Sequence, residues 1–112
     1  MIFHVTTRAD WSAAHALGKY VQSTRGRSLA EVGFIHCSDA HQVARIANLL
    51  YAAASDVVVL TISVEHLDAV VRYENLDGGA ELFPHIYGPL PFVAVTSVDA
   101  LEPGPDGVFK FP

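Results

Sequence analysis

Three histidines in this chain are each followed, two residues later, by a hydroxyl: His4 by Thr6, His36 by Ser38 and His85 by Tyr87. In an extended chain alternate side chains share a face. Each segment would therefore present an imidazole and a hydroxyl together. Phe34 joins His36 and Ser38, whereas Ile35 and Cys37 point the other way, into the core. Neutral imidazole both donates and accepts hydrogen bonds, and its unperturbed pKa of about 6.5 suits proton transfer at neutral pH. Tyr87 adds an aromatic face for a planar ring. The expectation is one polar cleft in which His4, Thr6, His36, Ser38, His85 and Tyr87 hold a small molecule, with the three histidines as the catalytic candidates. Three other readings stay open. The histidines are unrelated and satisfied locally. Or His4, His36 and His85 converge on zinc or iron, although no HxH, HxxxH or HExxH spacing occurs. Or Cys37 is a nucleophile, although it is adjacent to His36 and so faces away from it, and a lone buried thiol is more often inert core.

The elements that must position these groups can be read from periodicity. Residues 2–6 form a strand, and a helix capped by Thr7 or Asp10 follows, with Trp11, Ala14 and Leu17 at helical spacing and Gly18 at its end. Residues 18–32 read as a connector with a turn of helix at 28–31; Tyr20, Arg25 and Arg27 within it are placed to fold over a ligand or are merely solvated. The strand 33–37 runs into a second main helix with Ser38 as N-cap and Val43, Ile46, Ala47, Leu50 and Ala54 on its apolar stripe. Residues 56–64 are the clearest strand, β-branched and apolar, hence central. A turn of helix at 65–67, a strand at 70–74 and a turn at Asp77-Gly78-Gly79 follow. Three prolines and Gly88 within residues 81–91 argue for a packed, apolar loop carrying His85 and Tyr87 rather than a central strand. A strand at 92–98, a turn at 104–107 and a short closing strand at 108–111 complete an α+β order.

The totals narrow the function classes. The 112 residues suit a single domain spanning residues 1–112. Just over half are hydrophobic and the mean hydropathy is positive, enough for a core. A net charge of −5 disfavours general nucleic-acid binding, leaving only a local basic patch at Lys19, Arg25 and Arg27. One cysteine excludes an intramolecular disulfide. With no charged-then-apolar leader and no apolar run long enough to span a bilayer, a cytoplasmic location is expected, with no membrane partner.

The three segments Ile-Phe-His-Val-Thr, Gly-Phe-Ile-His-Cys-Ser and Phe-Pro-His-Ile-Tyr-Gly-Pro-Leu together resemble the small bacterial family catalogued as domain of unknown function 952, over essentially the whole chain. More distantly, Phe3-His4-Val5-Thr6 is similar to the Tyr-His-Gly-Thr strand of the ADP-ribosyltransferase superfamily. Gly33 through Ser38 resembles the Gly…His-Leu-Ser strand of its RNA 2′-phosphotransferase branch. That resemblance implies an ADP-ribosyltransferase-like fold: two small, mostly antiparallel sheets around a cleft for NAD, with two main helices. It implies that His4 contacts the nicotinamide nucleoside with Thr6 in support, and that His36 lines the same pocket. NAD, ADP-ribose or a related phosphorylated nucleotide is then the expected ligand, and transfer of ADP-ribose or phosphate the expected reaction; a non-catalytic ligand-binding module is the alternative. Val5 stands where that superfamily usually has glycine, and Glu74 and Glu81 are the nearest candidates for its catalytic glutamate.

Overall fold

In the computed structural model, which describes residues 1–76 and 79–111, the chain runs β1 (Ile2–Thr7), α1 (Arg8–Leu17), β2 (Gln22–Thr24), β3 (Arg27–Ser28), α2 (Leu29–Val32), β4 (Ile35–His36), α3 (Val43–Leu50), β5 (Val57–Ile62), β6 (Val71–Glu74), β7 (Phe83–Ile86) and β8 (Val95–Ala100). The fold is α+β with small antiparallel sheets. One sheet has the order β1-β5-β8, a second β4-β7-β6, and β2 and β3 form a separate ribbon.

The hydrophobic run at 57–62 makes β5 the middle strand of the first sheet, and its period-two alternation feeds two cores. Val58, Leu60 and Ile62 join Ile35 and Ile86 of the second sheet and the adjoining Cys37, with Tyr20 and Leu90. Val57 and Val59 face the opposite way, onto Val43, Ala47 and Tyr51 of the α3 segment and onto Phe109. The space between the two three-stranded sheets is therefore filled by side chains, where the expected architecture has a cleft.

Helix α1 forms as its sequence directs: Thr7 Oγ1 accepts from the Asp10 amide, and Gly18 ends the helix at φ 87°. The other predicted main helix is shorter at both ends. Ser38 does not cap it, because its backbone is exchanged with Phe3 in both directions (2.8 and 2.7 Å), which holds it extended. The turn instead opens at Asp39, whose amide donates to Gln42 Oε1, and the α-helix proper begins at Val43. It stops at Leu50, short of Ala54, the last residue of the expected stripe, as Tyr51 turns into the core and Ala53 takes φ 68°.

Two stretches differ in kind from expectation. Residues 22–28 are a hairpin ribbon rather than a connector, turning through Arg25-Gly26 with Gly26 at φ 72°. The proline-rich segment supplies the middle strand β7. Pro84 is tolerated there because its carbonyl still accepts from the Cys37 amide (2.9 Å), while the N–H it lacks would face the same side, where β4 has already ended at His36. The strand expected from 92 begins at Val95, after a single 3₁₀ turn. The Asp77-Gly78-Gly79 turn lies at residues 77–78 outside the described residues.

No strand forms at 108–111. Phe109 is instead clamped by one side chain: Asn48 Oδ1 accepts from its amide (2.8 Å) and Asn48 Nδ2 donates to its carbonyl (3.0 Å). The side chain of Phe109 is buried in the second core. Asn48→Ala is expected to cost about 1–3 kcal/mol in urea unfolding, with amide exchange at Phe109 accelerating more than at Leu60.

Candidate functional site

The strand period puts Phe34 and His36 on one face of the second sheet and Ile35 on the other, and antiparallel register carries this across the sheet. His36 pairs with His85, and His85 with Arg72; Ile35 pairs with Ile86, and Ile86 with Val71. The outer face therefore collects Phe34, His36, Arg72, Glu74, Phe83, His85 and Tyr87, while the inner face belongs to the core.

On this outer face the side chains are closely engaged. The His85 ring is stacked under Phe34 with centroids 3.9 Å apart, lies 5.4 Å from the His36 ring, and is buried. Its Nδ1 is 2.9 Å from Glu74 Oε1. A carboxylate only accepts, so Nδ1 carries the proton and Nε2 is the other functional nitrogen. The Tyr87 hydroxyl donates to the same Glu74 oxygen, and Arg72 lies over the Tyr87 ring at 5.4 Å. These two donors, Tyr87 first and then His85, hold the Glu74 carboxyl below the usual range, and the same bond raises the Tyr87 phenol. Glu81 is occupied elsewhere: Gln42 Nε2 donates to it at 3.0 Å and Arg45 pairs with it, and together these hold it low.

His4 and Thr6 take the opposite position. They share a face, but it is the face of β1 that looks into the first core. His4 is buried; its Nδ1–H donates to the His36 carbonyl (2.7 Å), which leaves Nε2 to accept from the Tyr20 hydroxyl (2.7 Å). The Tyr20 oxygen also bonds Thr6 Oγ1 at 2.8 Å. Burial, partly offset by the His36 carbonyl, pushes the His4 imidazole down to about 4, so it is neutral at physiological pH. The structure thus brings His36, His85 and Tyr87 together and sets His4 and Thr6 behind their sheet, while Ser38 is buried at its backbone bridge to Phe3. Among the described residues no group of three or more His, Cys, Asp or Glu side chains is arranged to hold a metal ion. Cys37 is in the core, where burial pushes its thiol far up.

Beside this face lies a groove of about 290 Å³. Phe34 and His36 form one wall, Ile46, Leu49 and Leu50 of α3 another, and Ser23, Thr24, Arg27 and Val32 of the ribbon and α2 close it. The ribbon is pinned in place by Arg25, which donates to the Leu50 carbonyl (2.6 Å) and rests over the Tyr51 ring. Of the three connector residues singled out from sequence, Tyr20 is core, Arg25 is structural and Arg27 lines the groove. Ser23, Thr24, Leu49 and Leu50 were not legible as site residues; the only signal was Gly26, which suits the positive-φ position of a tight turn.

The family model described as Protein of unknown function (DUF952) matches residues 5–98. The chain belongs to this family. Its fold is shared with protein CC0527 from Caulobacter crescentus in three solved structures. Its X-ray structure is 32% identical, covers 97% of this chain and 92% of that one, and has a TM-score of 0.82. An X-ray structure of a double mutant gives 31% identity, the same coverage and the same score. Its solution NMR structure gives 34% identity over 96% of this chain and 89% of that one, with a TM-score of 0.78. No curated protein matches the chain. Among the described residues no helix is long and apolar enough to cross a membrane.

The position of His4 has a consequence for stability. Its folded pKa lies below the unfolded value of 6.5, so between pH 6.5 and about 4 the unfolded chain binds a proton that the folded chain excludes. The contribution is complete above pH 6.5 and is lost as pH falls toward 4. Urea unfolding at pH 7.5 and pH 5 should show a loss of about 2 kcal/mol from this group. In His4→Gln the part of the pH slope due to this group should vanish; an unchanged slope would assign it to another histidine.

Proposed function

We propose that this protein is an ADP-ribosyltransferase-like domain that binds NAD, ADP-ribose or a related phosphorylated nucleotide in the groove beside Phe34 and His36. The observation that carries this reading is the makeup of the groove. One wall is an aromatic ring and an imidazole from the Gly33–Ser38 motif, and the facing wall is the apolar flank of α3. Small-molecule sites are of this kind, mostly apolar with a few placed polar groups. The resemblance of the His4 and His36 strands to those of the superfamily supports the same assignment.

The groove is at the small end of ligand pockets, which run from roughly 300 Å³ upward. It suits the nucleoside half of such a ligand. The remainder would lie along the outer face toward Tyr87, where His85 and Glu74 stand. As an enzyme, the protein would transfer ADP-ribose or phosphate, with His36 positioning the ribose and His85, oriented by Glu74, moving a proton or steadying developing charge. His4 would act from behind, holding the His36 backbone through its carbonyl.

Amide NMR titration with NAD and then ADP-ribose tests the reading. Shifts should cluster at Thr24, Phe34, His36, Leu49 and Leu50, and His36→Ala should weaken binding about tenfold, the loss of one well-placed polar contact. No shifts at millimolar ligand would overturn it. Nicotinamide release from NAD separates transfer from binding alone.

A further inference from the structure

We propose that the ribbon end of the groove is an anion anchor, in which Arg27, Ser23 and Thr24 take a single terminal phosphate. This rests on the nucleotide reading above and narrows it to a nucleotide with a terminal phosphomonoester, whose phosphate lies at the ribbon end of the groove rather than along the face toward Tyr87.

Charge is the first observation. The chain has twelve acidic residues against seven Lys and Arg, so a random patch of its surface is acidic. The nine residues lining the groove nevertheless include no carboxylate and one cation, Arg27. The two arginines of the hairpin are also not equivalent. Arg25 is committed to the Leu50 carbonyl and the Tyr51 ring. Arg27 is exposed, and among the described residues it has no salt bridge; its field reaches Glu31, whose carboxylate is already engaged with the Ser28 amide and hydroxyl in the capping box of α2. Its planar guanidinium is suited to two phosphate oxygens at once.

The second observation is independent of charge. Ser23 is fully buried, lines the groove, and its hydroxyl has no hydrogen-bond partner among the described residues. A buried hydroxyl without a partner costs free energy that alanine would not. Its presence is explained if an oxygen-bearing ligand completes it. Thr24, the register partner of Arg27 across the ribbon, lines the same groove and carries a second hydroxyl. One cation and two hydroxyls match one phosphomonoester rather than a longer polyphosphate.

The probes are AMP, adenosine and inorganic phosphate, each titrated into the full chain by calorimetry and amide NMR. AMP should bind at least tenfold tighter than adenosine, with shifts at Ser23, Thr24 and Arg27 that adenosine does not cause. Inorganic phosphate alone should shift the same three amides. Arg27→Gln should abolish the AMP advantage over adenosine, whereas Arg27→Lys should keep part of it. Ser23→Ala should weaken AMP binding several-fold while leaving the melting temperature equal or higher, because no partner is lost in the free protein. Equal affinity for AMP and adenosine would overturn the anchor and leave the nucleoside reading standing. A Ser23→Ala protein that loses stability would show the hydroxyl to be structural and would also overturn it. No binding of AMP, adenosine or phosphate would overturn both.

Discussion

A strand of two residues cannot hold its own place in a sheet, and in this protein the strand that carries His36 has that length. It is kept in position by the hydrogen bond from the buried His4 imidazole to the His36 carbonyl, with the reciprocal Phe3–Ser38 backbone bonds next to it. These contacts join the edge of one sheet to the edge of the other. They also explain why the imidazole is neutral. A charged ring in that core would be expensive, and the Tyr20 hydroxyl can donate to Nε2 only when that nitrogen is unprotonated. The polar chain through His4, Tyr20 and Thr6 is fully paired, which is the condition under which a buried network makes a packing unique rather than weak.

From that tie the site follows. Fixing β4 against β1 sends Ile35 and Cys37 inward and leaves Phe34 and His36 outward, next to His85 through the register with β7. Glu74 then fixes the His85 tautomer, and the stacked Phe34 ring covers it. The ribbon closes the other side because Arg25 finds the last carbonyl of α3, an acceptor that the helix itself leaves unpaired. The same two-residue turn that commits Arg25 leaves Arg27 uncommitted at the groove. The structural and ligand-facing roles of two neighbouring arginines are thus separated by which side of a hairpin turn each occupies.

Much of this was readable in advance. The α1 cap at Thr7, the central position of β5 and the inward direction of Ile35 and Cys37 all depend on contacts within a few residues or on strict alternation. The errors came where a distant partner overrode a local preference. Ser38 is a good N-cap by type, yet pairing with Phe3 held it extended. Pro84 argues against a middle strand, yet the neighbouring strand ends before the missing donor matters. The closing strand at 108–111 has suitable residues, but the backbone groups of Phe109 are taken by Asn48, sixty-one positions away in sequence.

By itself the sequence determined which side chains share a face: His4 with Thr6, Phe34 with His36, His85 with Tyr87. That follows from the two-residue period of an extended chain and needs no knowledge of the fold. It did not determine which faces would be covered. Only the tertiary structure decided that the His4 face turns into the core and the His36 and His85 faces turn out. Which side of a strand is buried depends on the elements packed against it, and these come from distant parts of the chain. Two identical patterns of histidine and hydroxyl therefore acquired opposite surroundings, one as a buried tie between sheets and the other as the wall of a groove.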